Sequence, residues 1–233
     1  MFLRKTLIAA LTVACCAQQP PVKVNVLNVC TPSAEDQKEL TAALAKVPAK
    51  PVFGKDYEVA RGYSTLEPNA SVPGMQPLPP GAASAADWVR VRREFSEAAL
   101  FSNVQYSFSV DASNMVETLV LRVRDPKDLM EVSIEDSASA VTSASAMLSA
   151  NTPVSRVKLE RFGKSSVALA RCSAGEGNPA PDQSAYEPIF REASAILNRY
   201  RDALGVRKMV PQELSRLGVA TTPKKSLGSK KSR

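Results

Sequence analysis

The sequence predicts an α+β protein: a mainly antiparallel sheet of about five to seven strands with two or three helices packed on it. Three observations point there. From Trp88 to Val123, and again from Met130, apolar and polar residues alternate with the two-residue period of a half-buried strand. The turns between these runs are short, which favours antiparallel neighbours, because a parallel pair needs a crossover of a dozen residues or more. Finally, Tyr186, Ile189, Phe190, Ala193, Ile196, Leu197, Tyr200 and Leu204 recur at helical spacing. They form a stripe that must be buried, with Glu187, Arg191, Glu192, Arg199 and Arg201 assigned to the opposite, solvated face.

The elements follow in order. Met1 to Ala17 has the layout of a secretory signal peptide: Arg4 and Lys5, the uncharged run TLIAALTVA, then Cys15, Cys16 and Ala17. Cleavage after Ala17 leaves small residues at both critical positions and starts the mature chain at Gln18. A lipoprotein cut before Cys15 or Cys16 is the rival, although Leu11 lies one place too far away. The apolar run is too short to span a bilayer, which takes about 20 residues. The remainder divides into a single domain over 18–220 and a basic, disordered tail over 221–233.

Val22–Val29, reading VKVNVLNV, alternates and predicts a strand ending at Cys30. Pro32 and Ser33 then open a helix to Val47, with Glu35 and Asp36 in the first turn, where the helix dipole favours acids. Val52–Ala60 is a candidate second strand. The stretch 62–86 holds five prolines and few large apolar residues, so it is expected to run as an excursion over the surface. Strands are expected over Trp88–Phe95, Val104–Val110, Leu119–Val123 and Met130–Ile134. The Ser/Ala-rich run Ser137–Ala150 is expected as a helix packed through small side chains. Two further strands, Arg156–Phe162 and Ser165–Cys172, flank Gly163-Lys164, which suits a two-residue hairpin turn. After the Tyr186–Leu204 helix, Gly205 supplies a C-cap, and Pro211–Leu217 is a last short helix.

Charge and cysteine usage narrow the function. The formal charge is +7, from 30 basic and 23 acidic residues. Arg4 and Lys5 belong to the leader, and Lys224, Lys225, Lys230, Lys231 and Arg233 to the tail; the other 23 basic residues balance the 23 acidic ones. The basic excess is therefore terminal, and a nucleic-acid groove is not expected. Cys30 and Cys172 are the two cysteines left beyond the leader. In an oxidising compartment such a pair reads as a disulfide. These features predict an exported bacterial protein, periplasmic or extracellular, with no transmembrane span in the mature chain.

Catalytic motifs dissolve on inspection. Gly163-Lys164-Ser165 lacks the earlier glycine of a phosphate-binding loop and sits between strands. Ser155 and Lys158 match the spacing of a Ser-x-x-Lys nucleophile, but a strand puts them on opposite faces. The chain has no histidine, which removes the usual general base at neutral pH and leaves two cysteines a poor zinc site. No metal or cofactor is expected. Glu94 with Glu97, or Glu135 with Asp136, are the carboxylate pairs that would serve a hydrolase of envelope or extracellular polymers.

The candidate ligand-binding residues are Trp88, Arg90, Arg92, Arg122 and Arg124. The parity of Arg90 with Arg92, and of Arg122 with Arg124, turns each pair to one side of its strand. Arginine suits an anionic ligand or glycan. The plainer alternative is a solvated sheet face paired with Glu117, Glu131, Glu135 and Glu160. The preferred reading is a non-enzymatic, envelope-associated binding module whose partner is an envelope component or anionic ligand. A carboxylate hydrolase and a structural lipoprotein are the alternatives.

Overall fold

The computed structural model describes residues 30–53, 57–65, 85–94, 101–110, 114–125, 128–139, 143–149, 154–162, 165–175 and 179–216. The leader, the Val22–Val29 strand, the Gly163-Lys164 turn and the basic tail lie outside them. The architecture is α+β, as the alternation and the helical stripe predict: one seven-stranded antiparallel sheet with four helices. The strands are β1 (Tyr57–Thr65), β2 (Ala85–Glu94), β3 (Phe101–Val110), β4 (Asn114–Asp125), β5 (Asp128–Ser139), β6 (Arg156–Arg161) and β7 (Ser165–Ala170). They lie side by side in sequence order. The helices are α1 (Ala34–Ala45), α2 (Ala144–Ser149), α3 (Glu187–Leu204) and α4 (Val206–Arg216).

All four helices contribute buried residues to the core that covers one side of the sheet. That side is built in rows running across the strands. Val91, Tyr106, Leu119, Ile134, Val157 and Leu169 occupy matching positions on six consecutive strands, and all are buried. Phe190, Ala193, Ile196, Leu197 and Tyr200 bring the stripe of α3 into this core. Each large apolar side chain so buried contributes about 1.5–3 kcal/mol relative to exposure.

Helix ends follow their local chemistry. Ser33 caps α1: its hydroxyl accepts from the Asp36 backbone N–H at 3.1 Å, and its own backbone N–H donates to Asp36 Oδ2 at 3.1 Å. Gly205 ends α3 at φ +70°, a left-handed conformation that glycine adopts without a Cβ clash. The chain turns there directly into α4.

Three expectations need correction. β1 runs to Thr65 and β2 starts at Ala85, so both ends of the 62–86 excursion are strand. Ladder pairing with Trp88 and Thr65, both good strand formers, outweighs the weak strand propensity of Gly62 and Ala85. Ser137–Ser139 extend β5 rather than opening a helix, because the long β4 offers them partners in Val116, Met115 and Asn114. The helix that remains, α2, is six residues long. Lastly, α4 begins at Val206, and Pro211 lies inside it. Burial of Val206, Val210 and Leu214 along one face offsets the hydrogen bond that the proline removes.

The expected disulfide is present. Cys30 and Cys172 are bonded with their Cα atoms 5.7 Å apart, and 142 residues separate them in sequence. Gln183 locks the same corner. Its Nε2 donates to the carbonyls of Ala170 at 2.8 Å and Cys30 at 3.3 Å, while its Oε1 accepts from the Cys172 N–H at 3.1 Å.

Candidate functional site

Residues alternate between two faces along each strand, so the sheet has a second side that the helices do not cover. The five candidate residues all fall there. Trp88, Arg90 and Arg92 point to it from β2, and Arg122 and Arg124 from β4, with β3 between them. Among the described residues of β2 to β6, no side chain on this face is buried. Its centre is mostly uncharged: Gln105, Ser107 and Ser109 on β3, Val116, Thr118 and Val120 on β4, and Ser133 and Ser137 on β5, with Glu135 between the two serines as the one acid. Charges flank this lane, with Arg90 and Arg92 on one side and Arg156 and Lys158 on β6 at the other.

Part of this charge is neutralised in place. Arg122 donates to Glu131 across the strand at 2.8 Å, Lys158 pairs with Glu160 at 2.9 Å, and Arg92 reaches Glu94 at 3.5 Å and Asn103 at 3.3 Å. These partly exposed pairs contribute about 1 kcal/mol or less each. Arg90, Arg124 and Arg156 make no ion pair among the described residues. Arg90 instead lies over the Trp88 ring at 5.7 Å. Two shallow depressions open on or beside this face toward one end of the sheet. One, of about 320 Å³, is lined by Tyr57, Glu58, Arg92 and Glu94. The other, of about 180 Å³, is lined by Asn103, Arg122, Arg124 and Leu129.

Glu117 does not belong with the glutamates of this face. It lies on the core side of β4, fully buried, directly opposite the buried Asp136 of β5. Arg201 reaches both from α3, and it too is buried, not solvated as the helical pattern suggested. Its Nε donates to Glu117 Oε1 at 2.6 Å, its Nη2 donates to Glu117 Oε2 and lies 3.4 Å from Asp136 Oδ2, and its Nη1 donates to Asn198 at 2.9 Å. Burial works against the guanidinium's charge, but the hydrogen bonds and charge of Glu117 outweigh it and raise the Arg201 pKa above its ordinary value. Tyr106 stands beside this cluster. Burial first, and then the negative charge of Glu117, hold its phenol well above the ordinary pKa. The cluster is sealed from solvent and from any substrate.

This arrangement also separates one candidate catalytic pair. Glu135 faces the open side and Asp136 the core, so the two carboxylates do not meet. Glu97 lies outside the described residues. Among the described residues there is no cluster of acidic, cysteine or histidine side chains able to hold a metal ion. No described helix is long and apolar enough to cross a membrane.

A second arginine ties the sheet to α3. Arg171, just after β7, donates to both carboxylate oxygens of Glu187 at 3.0 Å and to the Val154 carbonyl at 2.9 Å. Its guanidinium also lies 4.1 Å from the Phe190 ring. The bond from Arg171 holds the Glu187 carboxyl below its ordinary pKa.

No family model matches the sequence, and neither a curated protein nor a solved structure does.

Proposed function

We propose that the protein is an exported, non-enzymatic binding module of the cell envelope that holds an anionic ligand on the open face of its sheet. The observation that carries this reading is the one-sided burial. A wide sheet face is left bare, and it gathers Arg90, Arg92, Arg122 and Arg124 around a lane in which hydroxyl and amide side chains (Gln105, Ser107, Ser109, Thr118, Ser133, Ser137) outnumber the single acid, Glu135. Arginine forks suit carboxylate, sulfate or phosphate groups, and the hydroxyl lane offers both donors and acceptors to an extended ligand. The disulfide accords with an oxidising compartment outside the cytoplasm.

The test is binding of a soluble polyanion, sulfated dextran, measured by isothermal titration against unsulfated dextran. Binding to the sulfated polymer is expected to fall as salt rises, and the Arg90→Glu/Arg122→Glu variant is expected to lose it. Equal binding by the wild type and this variant overturns the assignment of the face. N-terminal sequencing of the exported protein tests the compartment, with Gln18 the expected first residue.

A further inference from the structure

Antiparallel order brings the starts of β1, β3, β5 and β7 to the same end of the sheet as the ends of β2, β4 and β6. Tyr57 is therefore level with Arg93, Arg124 with Leu129, and Met130 with Arg161. Among the described residues, three large hydrophobic side chains are exposed: Tyr57 at 56 %, Phe162 at 51 % and Val52 at 38 %. All three lie at this end. Phe162 follows β6, and its N–H reaches the Leu129 carbonyl at 3.4 Å. Val52 adjoins Phe53, whose ring lies 4.6 Å from the Arg93 guanidinium; Arg93 also stacks on Tyr57 at 4.5 Å. Both depressions open toward the same end, one beside Tyr57 and one between Arg122, Arg124 and Leu129.

We propose that this end of the sheet seats edge-on against an anionic lipid surface, with Tyr57 and Phe162 entering the interface and Arg124 taking a headgroup phosphate in the depression beside Leu129. The inference rests on the anionic-ligand reading of the open face and names its source. Two features favour a lipid surface over a protein. First, the apolar side chains are dispersed: five strand spacings, roughly 24 Å, separate β1 from β6. A protein partner would need a contiguous desolvated centre, whereas a membrane interface accepts separate aromatic side chains at one depth. Second, Arg124 is exposed and makes no ion pair among the described residues, so its charge is available to a phosphate.

The leader segment Met1–Ala17 is apolar enough to bind lipid by itself, so the experiment reads the rim directly. The full chain with Trp88→Phe and Phe162→Trp carries its one tryptophan at the rim. Brominated phosphatidylglycerol vesicles are expected to quench it, while in the wild type Trp88, at the other end of β2, stays unquenched. Adding Arg124→Glu is expected to weaken the quenching titration about tenfold on phosphatidylglycerol. Arg191→Glu, exposed on α3 and away from the open face, is expected to leave it unchanged. Absence of rim quenching, or quenching indifferent to Arg124→Glu, overturns the lipid assignment. If sulfated dextran still binds in that case, the open-face reading survives without it. If dextran binding also fails, both fall.

Discussion

The Arg201 cluster offers the sharpest test of how this fold is held. Arg201→Met leaves Glu117 and Asp136 facing each other on adjacent strands, both sealed from water. Directly opposed side chains have Cβ atoms about 5 Å apart. At that separation, and at an effective dielectric of about 20, two like charges repel by roughly 3 kcal/mol. The variant also loses the two hydrogen bonds from Arg201 to Glu117. Breaking a buried ion pair by removing one partner costs about 3–5 kcal/mol, and that is the expected loss. The assay is urea denaturation with the disulfide intact, comparing midpoints at constant slope.

One further outcome follows from the same reasoning. The triple variant Arg201→Met/Glu117→Met/Asp136→Val removes every charge, and should come back to within about 1–2 kcal/mol of the wild type or exceed it. A loss below about 1 kcal/mol for Arg201→Met, or a triple variant less stable than the single one, refutes the account.

Other outcomes are open to the same kind of measurement. Phe190→Ala removes a fully buried ring from the first turn of α3 and should cost about 3–5 kcal/mol, whereas Glu192→Ala on the exposed face should cost under about 0.5 kcal/mol. Equal small losses would mean that α3 does not anchor the core. Non-reducing peptide mapping should recover Cys30 linked to Cys172, and reduction should lower stability by about 2–5 kcal/mol. Tyr106 is held neutral in the fold by a raised pKa, so its contribution is complete below the ordinary phenol value near pH 10 and is lost as pH climbs past it. Tyr106→Phe should flatten the alkaline decline in stability; an unchanged decline would clear Tyr106 of any part in it.

The sheet was legible because its strands are half-buried: one face must be apolar, and alternation records that directly. The stripe of α3 was legible for the same reason at the helical period. The Ser137–Ser139 extension was not, since serine and alanine carry little intrinsic preference and the strand there exists because β4 is long enough to pair with it. The buried cluster was misread by residue type. Glu117 shares the parity of Leu119 and Leu121, and Arg201 stands four residues after Leu197, so both positions belong to the core. Charge argued for solvent, and only the three side chains together satisfy one another. The two sides of the sheet were legible in Arg90, Arg92, Arg122 and Arg124, whose parity is fixed by their spacing. That β2 and β4 would present them on the same side, separated by β3, depended on register, which no single strand encodes.

The order of the strands has a kinetic consequence. Every strand pairs with its immediate predecessor, so the sheet can grow one strand at a time as the chain emerges, with the loops from β2 to β3, β3 to β4, β4 to β5 and β6 to β7 short to close. The longest helix on its apolar rows, α3, and α4 directly after it come after all seven strands, and the two cysteines, 142 residues apart, cannot join until β7 is complete. For most of synthesis the growing sheet therefore has only α1, and later α2, to set against its hydrophobic face, and full sealing and oxidation are both terminal events. A chain stopped before α3 would be a template for aggregation rather than a shorter version of the fold.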